Sequence, residues 1–380
     1  MGVYVHIPFC ARKCYYCDFH SIVVGDPASF REVANNYLLS VRREALIYRS
    51  ELGSQALSSL FLGGGTPSLV PAQALADLIS FLLDALPFDS EPEVTIEANP
   101  HSLTDQGVAL LREAGVNRVS LGVQAFQNSL LRSLGRLHQA HDVTTSVQLL
   151  KNNGINNISL DLMYGLPGQT IQNWRESLER AVDLEPQHLS CYSLILEEGT
   201  PFASWEAKGL LDLPTDDQQA EMYELARRLL RQAGYEHYEI SNFAKSGYQS
   251  THNLLYWENL PFVGLGSGAT GYLRGQRYTN VANVGQYIES LAQGERPIAQ
   301  VDQVSLEQEM EETMMVGMRL LRGVDEREFT ARFGQSFFRI FGEEIQELLK
   351  RGLVEYVEGF LRVTERGLYL ENQVSAAFLK

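Results

Sequence analysis

Tyr4-Val5-His6-Ile7-Pro8-Phe9-Cys10-Ala11-Arg12-Lys13-Cys14-Tyr15-Tyr16-Cys17 sets three thiols within eight residues, directly after the β-rich run Val3–Ile7. The other cysteine, Cys191, stands alone. Three thiolates at Cys-x3-Cys-x2-Cys spacing can wrap one face of a cuboidal [4Fe–4S] cluster and leave its fourth iron open to an exogenous chelate, such as the amine and carboxylate of an amino acid. The alternative is a closed Cys3His zinc site with His20 as fourth ligand. A disulfide fits less well, because bridges normally join more distant partners and suit oxidising compartments.

Working outward, β-rich and helical runs alternate. The spacing predicts strands over Val3–Ile7, Leu57–Leu62, Val94–Ala98, Arg118–Gly122, Ile158–Met163 and His188–Ile195. Helices are predicted between them, over Ser29–Tyr48, Ala72–Leu86, Asp105–Ala114, His141–Asn152 and Gln172–Leu184. Six βα units in series argue for a parallel sheet. Each strand also ends in chemically unusual residues: the cysteines, Gly63-Gly64-Gly65-Thr66-Pro67, Glu97 with Asn99, Gln124, Asp161 with Tyr164, and Tyr192 with Ser193. In (β/α) barrels the C-terminal strand ends share one rim, where sites are built. The expected fold is therefore α/β, a partial (β/α)6 TIM-like barrel facing a single large ligand.

The rest of the chain divides into further parts. A helix over Asp216–Ala233, with Thr215 and Gln218 as a capping box, and a strand over Tyr235–Ile240 complete a barrel unit of residues 1–240. Residues 241–300 read as a loose, glycine- and aromatic-rich connecting segment carrying His252-Asn253-x-x-Tyr256-Trp257. Within it Gly264-x-Gly266-x-Gly268 matches a dinucleotide fingerprint only superficially, since no βαβ unit follows. Residues 301–380 read as a small α+β domain with a winged-helix-like order: three helices, two short strands and a final helix. Their 15 acidic against 10 basic residues disfavour DNA reading, and the net charge of −16 makes nucleic acid an unexpected partner altogether. No apolar run approaches the ~18 residues of a membrane span, and no signal peptide is recognisable, so a cytoplasmic location is expected.

Tyr4-x-His6-Ile7-Pro8-Phe9-Cys10-x3-Cys14-x-Tyr16-Cys17, Gly63–Pro67, Glu97-x-Asn99-Pro100, Gly122-Val123-Gln124-x-Phe126 and Asp161-x-Met163-Tyr164-Gly165-Leu166-Pro167-Gly168-Gln169-Thr170 together resemble the radical SAM superfamily. More narrowly they resemble the oxygen-independent coproporphyrinogen III oxidase group. The oxidases usually carry a fourth cysteine two residues after the third, where this chain has Phe19. Cys17-Asp18-Phe19 and the His-Asn-x-x-Tyr-Trp segment instead resemble the haem chaperone branch of that group, HemW. Thr270 departs from the branch, where histidine is often expected.

The resemblance implies roles. Cys10, Cys14 and Cys17 would hold a [4Fe–4S] cluster. Tyr4, the Tyr16 backbone, Gly64, Gly65, Thr66, Glu97, Gln124, Arg136 and Asp161 would line an S-adenosylmethionine (SAM) site. Imidazole is the commonest protein ligand to haem iron, so His252 is the expected axial ligand, with Asn253, Tyr256 and Trp257 around the porphyrin. The function implied is binding haem and passing it to an acceptor protein, with no catalytic residue assigned. Its rival is radical decarboxylation of coproporphyrinogen III propionates. The partners implied are a haem-accepting protein and an electron donor for the cluster; peripheral membrane contact and a homodimer stay open.

Overall fold

A computed structural model describes residues 1–53 and 55–379. Six parallel strands run in sequence order, each paired with the next: β1 (Gly2–Ile7), β2 (Leu57–Gly64), β3 (Phe88–Ala98), β4 (Arg118–Gln124), β5 (Asn157–Tyr164) and β6 (His188–Ser193). Between them run α1 (Pro27–Leu52), α2 (Ala72–Ala85), α3 (Asp105–Glu113), α4 (Ala140–Asn152) and α5 (Ile171–Asp183); α6 (Asp216–Gln232) follows β6. Side chains alternate across each strand. Val3, Val5 and Ile7 of β1 are fully buried in the apolar core, while Tyr4 and His6 point the other way, into the barrel. Asp26 caps α1 by accepting from the Ala28 and Ser29 N–H groups. The buried face of that helix repeats as Ala34, Tyr37, Leu38, Val41, Ala45, Tyr48 and Leu52, three or four residues apart. The expected capping box at Thr215 and Gln218 opens α6.

The segment read as loose continues the sheet at both ends. β7 (Glu236–Glu239) and β8 (Asn242–Ala244) form a hairpin whose second strand pairs antiparallel with β6. After the helix α7 (Thr251–Trp257), β9 (Phe262–Leu265) pairs parallel with the far side of β1. β10 (Thr270–Leu273), β11 (Gln276–Asn280) and β12 (Ile298–Gln303) then extend the sheet antiparallel, to twelve strands among the described residues. Glycine is the reason the pattern looks loose. A Cβ on Gly264 would stand 2.1 Å from the Thr270 oxygen, and one on Gly271 would stand 2.3 Å from the Tyr278 ring. Here glycine lets backbones approach closely within strands instead of breaking them. α8 (Val284–Ala292) packs on α1.

The C-terminal part has α9 (Leu306–Gly317), α10 (Glu326–Phe333), α11 (Gly342–Lys350) and a three-stranded sheet of β13 (Val324–Asp325), β14 (Val354–Val357) and β15 (Phe360–Val363). It has its own core, centred on Phe329, Phe337, Phe341, Ile345, Leu348 and Phe378. Among the described residues, no helix is long and apolar enough to cross a membrane.

Candidate functional site

The loop after β1 is folded back on the barrel rim. Phe9–Cys10 and Ile22–Val23 pair as a two-residue parallel ribbon. The Gly65 and Thr66 N–H groups donate to the Ile7 and Phe9 oxygens at 2.8 Å, and the Tyr15 N–H donates to the Leu134 oxygen. Cys10, Cys14 and Cys17 are free thiols, half-buried, and all three line one cavity of about 360 Å3 at the C-terminal strand ends. That volume suits a small-molecule site. Burial raises the Cys10 thiol and pushes Cys17 up to about 11, so a metal taking these sulfurs displaces their protons.

Arg136 lies behind the cysteines. One guanidinium nitrogen is 3.6 Å from the Cys14 sulfur, and another donates to the Gly122 oxygen at 2.5 Å and to Asn99 Oδ1. Three free thiols spread over one cavity wall, beside a guanidinium, fit a cuboidal cluster.

The opposite wall is a cradle. Gly64 has φ +108°, and a Cβ there would stand 2.4 Å from the His6 ring; on Gly65 it would stand 2.7 Å from the Phe9 oxygen. Only glycine allows this approach. Gln124 is one of the few non-glycine residues with positive φ, 66°, at a register shift between β4 and β5. That local strain accompanies its placement in the cavity wall. Two half-buried acids lie deeper. Glu97 Oε2 accepts from the Gly64 N–H at 3.0 Å, and burial, then the nearby Asp161, raises its carboxyl to about 7. Asp161 accepts from Ser120 at 2.8 and 3.0 Å and from Ser159 at 3.3 Å; burial raises it too.

Of the expected SAM residues, Tyr16, Gly64, Gly65, Thr66, Glu97, Gln124, Arg136 and Asp161 line the cavity. Tyr4 does not. Its hydroxyl lies 3.0 Å from His6 Nδ1 and its ring stacks on Phe61, inside the barrel wall. The cavity also contains Tyr192, expected on the rim, and Arg118, Ser120 and Ser190, which the sequence reading left out of the site. A signal existed: Arg118, Ser120, Gly122 and Gln124 alternate along β4 on one face.

The structure places His252, the expected haem ligand, inside the barrel. α7 plugs the barrel interior, its N-terminus capped by Ser250 and by Glu93, which accepts from the Thr251 and His252 N–H groups at 3.0 and 3.1 Å. His252 is 1% exposed. Its Nδ1 lies 2.8 Å from the Ser59 hydroxyl and its Nε2 2.9 Å from the Tyr256 hydroxyl, so both ring nitrogens have partners within the barrel. Burial, then Arg118, lowers its pKa to about 3, and its ring stacks on Phe61. The four motif residues also diverge. Asn253 lines the cavity, while Trp257 lines a separate hollow against the C-terminal part.

Comparison with known proteins agrees with this geometry. Residues 4–181 match the radical SAM superfamily and residues 304–370 match the HemN C-terminal domain. The chain is 39% identical to the haem chaperone HemW of Bacillus subtilis, covering 100% of this chain and 99% of that one. The chain belongs to the HemW family. Its similarity to the HemW of Escherichia coli is 32% identity, over 100% of this chain and 98% of the relative. The structure of coproporphyrinogen III oxidase (HemN) from Escherichia coli superposes with a TM-score of 0.84 at 24% identity, covering 99% of this chain and 89% of that one; at this identity the likeness establishes the fold. Across the HemW family comparison and the fold, the α/β radical SAM architecture and its HemN-like C-terminal part hold as expected.

Proposed function

We propose that the chain is a cytoplasmic haem carrier that holds a [4Fe–4S] cluster on Cys10, Cys14 and Cys17, binds SAM in the rim cavity, and passes haem to an acceptor protein. The observation that carries the cofactor reading is the placement of three free thiols, the Arg136 guanidinium, the Gly64–Thr66 cradle and the acids Glu97 and Asp161 on one cavity. The haem reading rests on kinship with proteins named haem chaperone HemW.

When bound, the cluster supplies an open iron able to chelate an amino acid's amine and carboxylate. The chain's own groups do the rest. Arg136 offsets the thiolate charge and holds the turn at Gly122. Gly64 and Gly65 admit the ligand against the backbone, and Glu97 offers its second carboxylate oxygen to a hydroxyl or ammonium donor. With His252 sealed in the barrel, haem docks at the mouth instead, where Phe19 and Tyr192 are exposed beside the cluster loop. Flat aromatic surfaces suit a porphyrin face.

Anaerobically reconstituted protein tests this reading. Expected are about four irons per chain, saturable SAM binding in equilibrium dialysis, and a shifted Soret band on haem titration. Repeated conversion of coproporphyrinogen III by the reduced protein, without haem binding, would replace the carrier reading with the oxidase one.

A further inference from the structure

The α7 helix reaches from the cavity to the C-terminal part, and both its ends are held by the same strand. At its start, the Ser250 N–H donates to the Tyr238 hydroxyl of β7 at 3.3 Å. At its end, Trp257 lies under Arg319, whose guanidinium carbon is 4.6 Å from the ring centroid. Arg319 is itself fixed to β7. The Ile240 N–H donates to the Arg319 oxygen and the Leu321 N–H to the Tyr238 oxygen, both at 3.1 Å, and Glu239 bridges to Leu320. The guanidinium stands 3.9 Å from the fully buried Glu239 and 3.6 Å from Glu371 of the C-terminal part.

Arg319 does not line the cavity. Asn253, four residues before Trp257 and so on nearly the same helix face, does line it. Among the described residues the Asn253 side chain has no hydrogen-bond partner, only its backbone N–H being engaged, by Ser250. A seven-residue helix holds its position through what grips its ends, because so short a helix is marginal by itself. The N-terminal grip belongs to Glu93, Ser250 and Tyr238 of the barrel; the aromatic grip at the C-terminus comes from a residue outside it.

We propose that Arg319 is a positioning residue for ligand binding in the cavity: stacked on Trp257 and anchored by Glu239 and Glu371, it seats α7 so that the Asn253 amide faces the bound ligand. This rests on the reading that SAM occupies the cavity. It makes the C-terminal part, within which Arg319 lies, a component of the site.

The test is a double-mutant cycle on the full, cluster-reconstituted chain, with SAM affinity measured by equilibrium dialysis and iron content measured in parallel. Asn253→Ala and Arg319→Gln are each expected to weaken SAM by about five- to tenfold at unchanged iron content, and the double variant to be no weaker than either alone, as for two residues acting through one contact. Arg319→Lys, which keeps the charge and loses the planar stack, is expected in between. It decides the matter if Arg319→Gln does not fold, with wild-type affinity in Arg319→Lys then counting against the proposal. Wild-type SAM affinity in Arg319→Gln, or fully additive losses, overturns the positioning role while leaving the SAM reading intact. Failure of the wild-type chain to bind SAM at full iron content overturns both.

Discussion

The cluster loop and the α7 helix are both short segments dense in unusual side chains, yet they spend those side chains differently. The loop has no regular structure beyond a two-residue ribbon, and it turns all three thiols toward one cavity. The helix distributes its motif around its circumference: Asn253 to the cavity, His252 and Tyr256 into the barrel wall, Trp257 to the C-terminal part. A 3.6-residue period sets the His252–Tyr256 face about 100° from the Asn253–Trp257 face, and one turn of rise carries Asn253 and Trp257 to different ends of the helix. A motif in a loop can converge on one ligand. A motif in a helix with adjacent members cannot, and His252 and Asn253 are adjacent.

The sharpest break of this contrast is Cys14→Ala. Iron should fall from about four per chain to near zero, since the cluster loses one of three protein ligands; retained iron, measured colorimetrically, would mean the thiols do not act together.

His252→Ala comes next and should behave as a packing lesion. It removes a ring held between Phe61, Tyr4 and Tyr256 and leaves Ser59 without its partner. Denaturant unfolding should register a loss of about 3 kcal/mol, while haem affinity stays within about twofold. A large loss of Soret shift in a stable variant would return His252 to the haem site and erase the contrast.

Glu44 gives a smaller, pH-dependent effect. This fully buried carboxylate of α1 accepts from the Gly266 N–H, Asn280 and Tyr287, and so pins the turn after β9. That turn backs the cluster loop, since a Cβ on Gly268 would press on the His20 ring. Burial raises Glu44 from 4.5 to about 7. The folded state therefore binds the proton more tightly than the unfolded chain, and this stabilisation is full below about pH 4.5 and lost as pH rises through 7. Glu44→Gln should flatten the decline in stability between pH 5 and pH 8 by roughly 2 kcal/mol, read as the slope of unfolding free energy against pH. An unaltered slope would show that Glu44 is ionised throughout.

The smallest expected effect on folding is that of Asn253→Ala, within about 0.5 kcal/mol, because its side chain faces the cavity and holds nothing else. A destabilisation as large as that of His252→Ala would show that all of α7 is structural.

The sequence by itself determined the barrel, because period-2 strands and period-3.6 helices alternate six times and the chemistry-bearing residues fall at strand ends, where βα topology places them on one rim. It also determined that three thiols share one short loop, because three cysteines in eight residues cannot avoid one another. Only the tertiary structure decided the sites that depend on which way a side chain turns. Tyr4 and Gln124 both sit on barrel strands, yet the strained backbone at Gln124 puts it in the cavity and the pairing of Tyr4 with His6 keeps it out. Gly264 and Gly271, which read as loop, are strand residues because neighbours distant in sequence come within 2.1 to 2.3 Å of where their Cβ would be. His252, whose chemistry suits iron, is held in the barrel by hydrogen bonds to Ser59, 193 residues away, and to Tyr256. Hydrogen bonds to such distant partners exist only after folding, and no local pattern announces them.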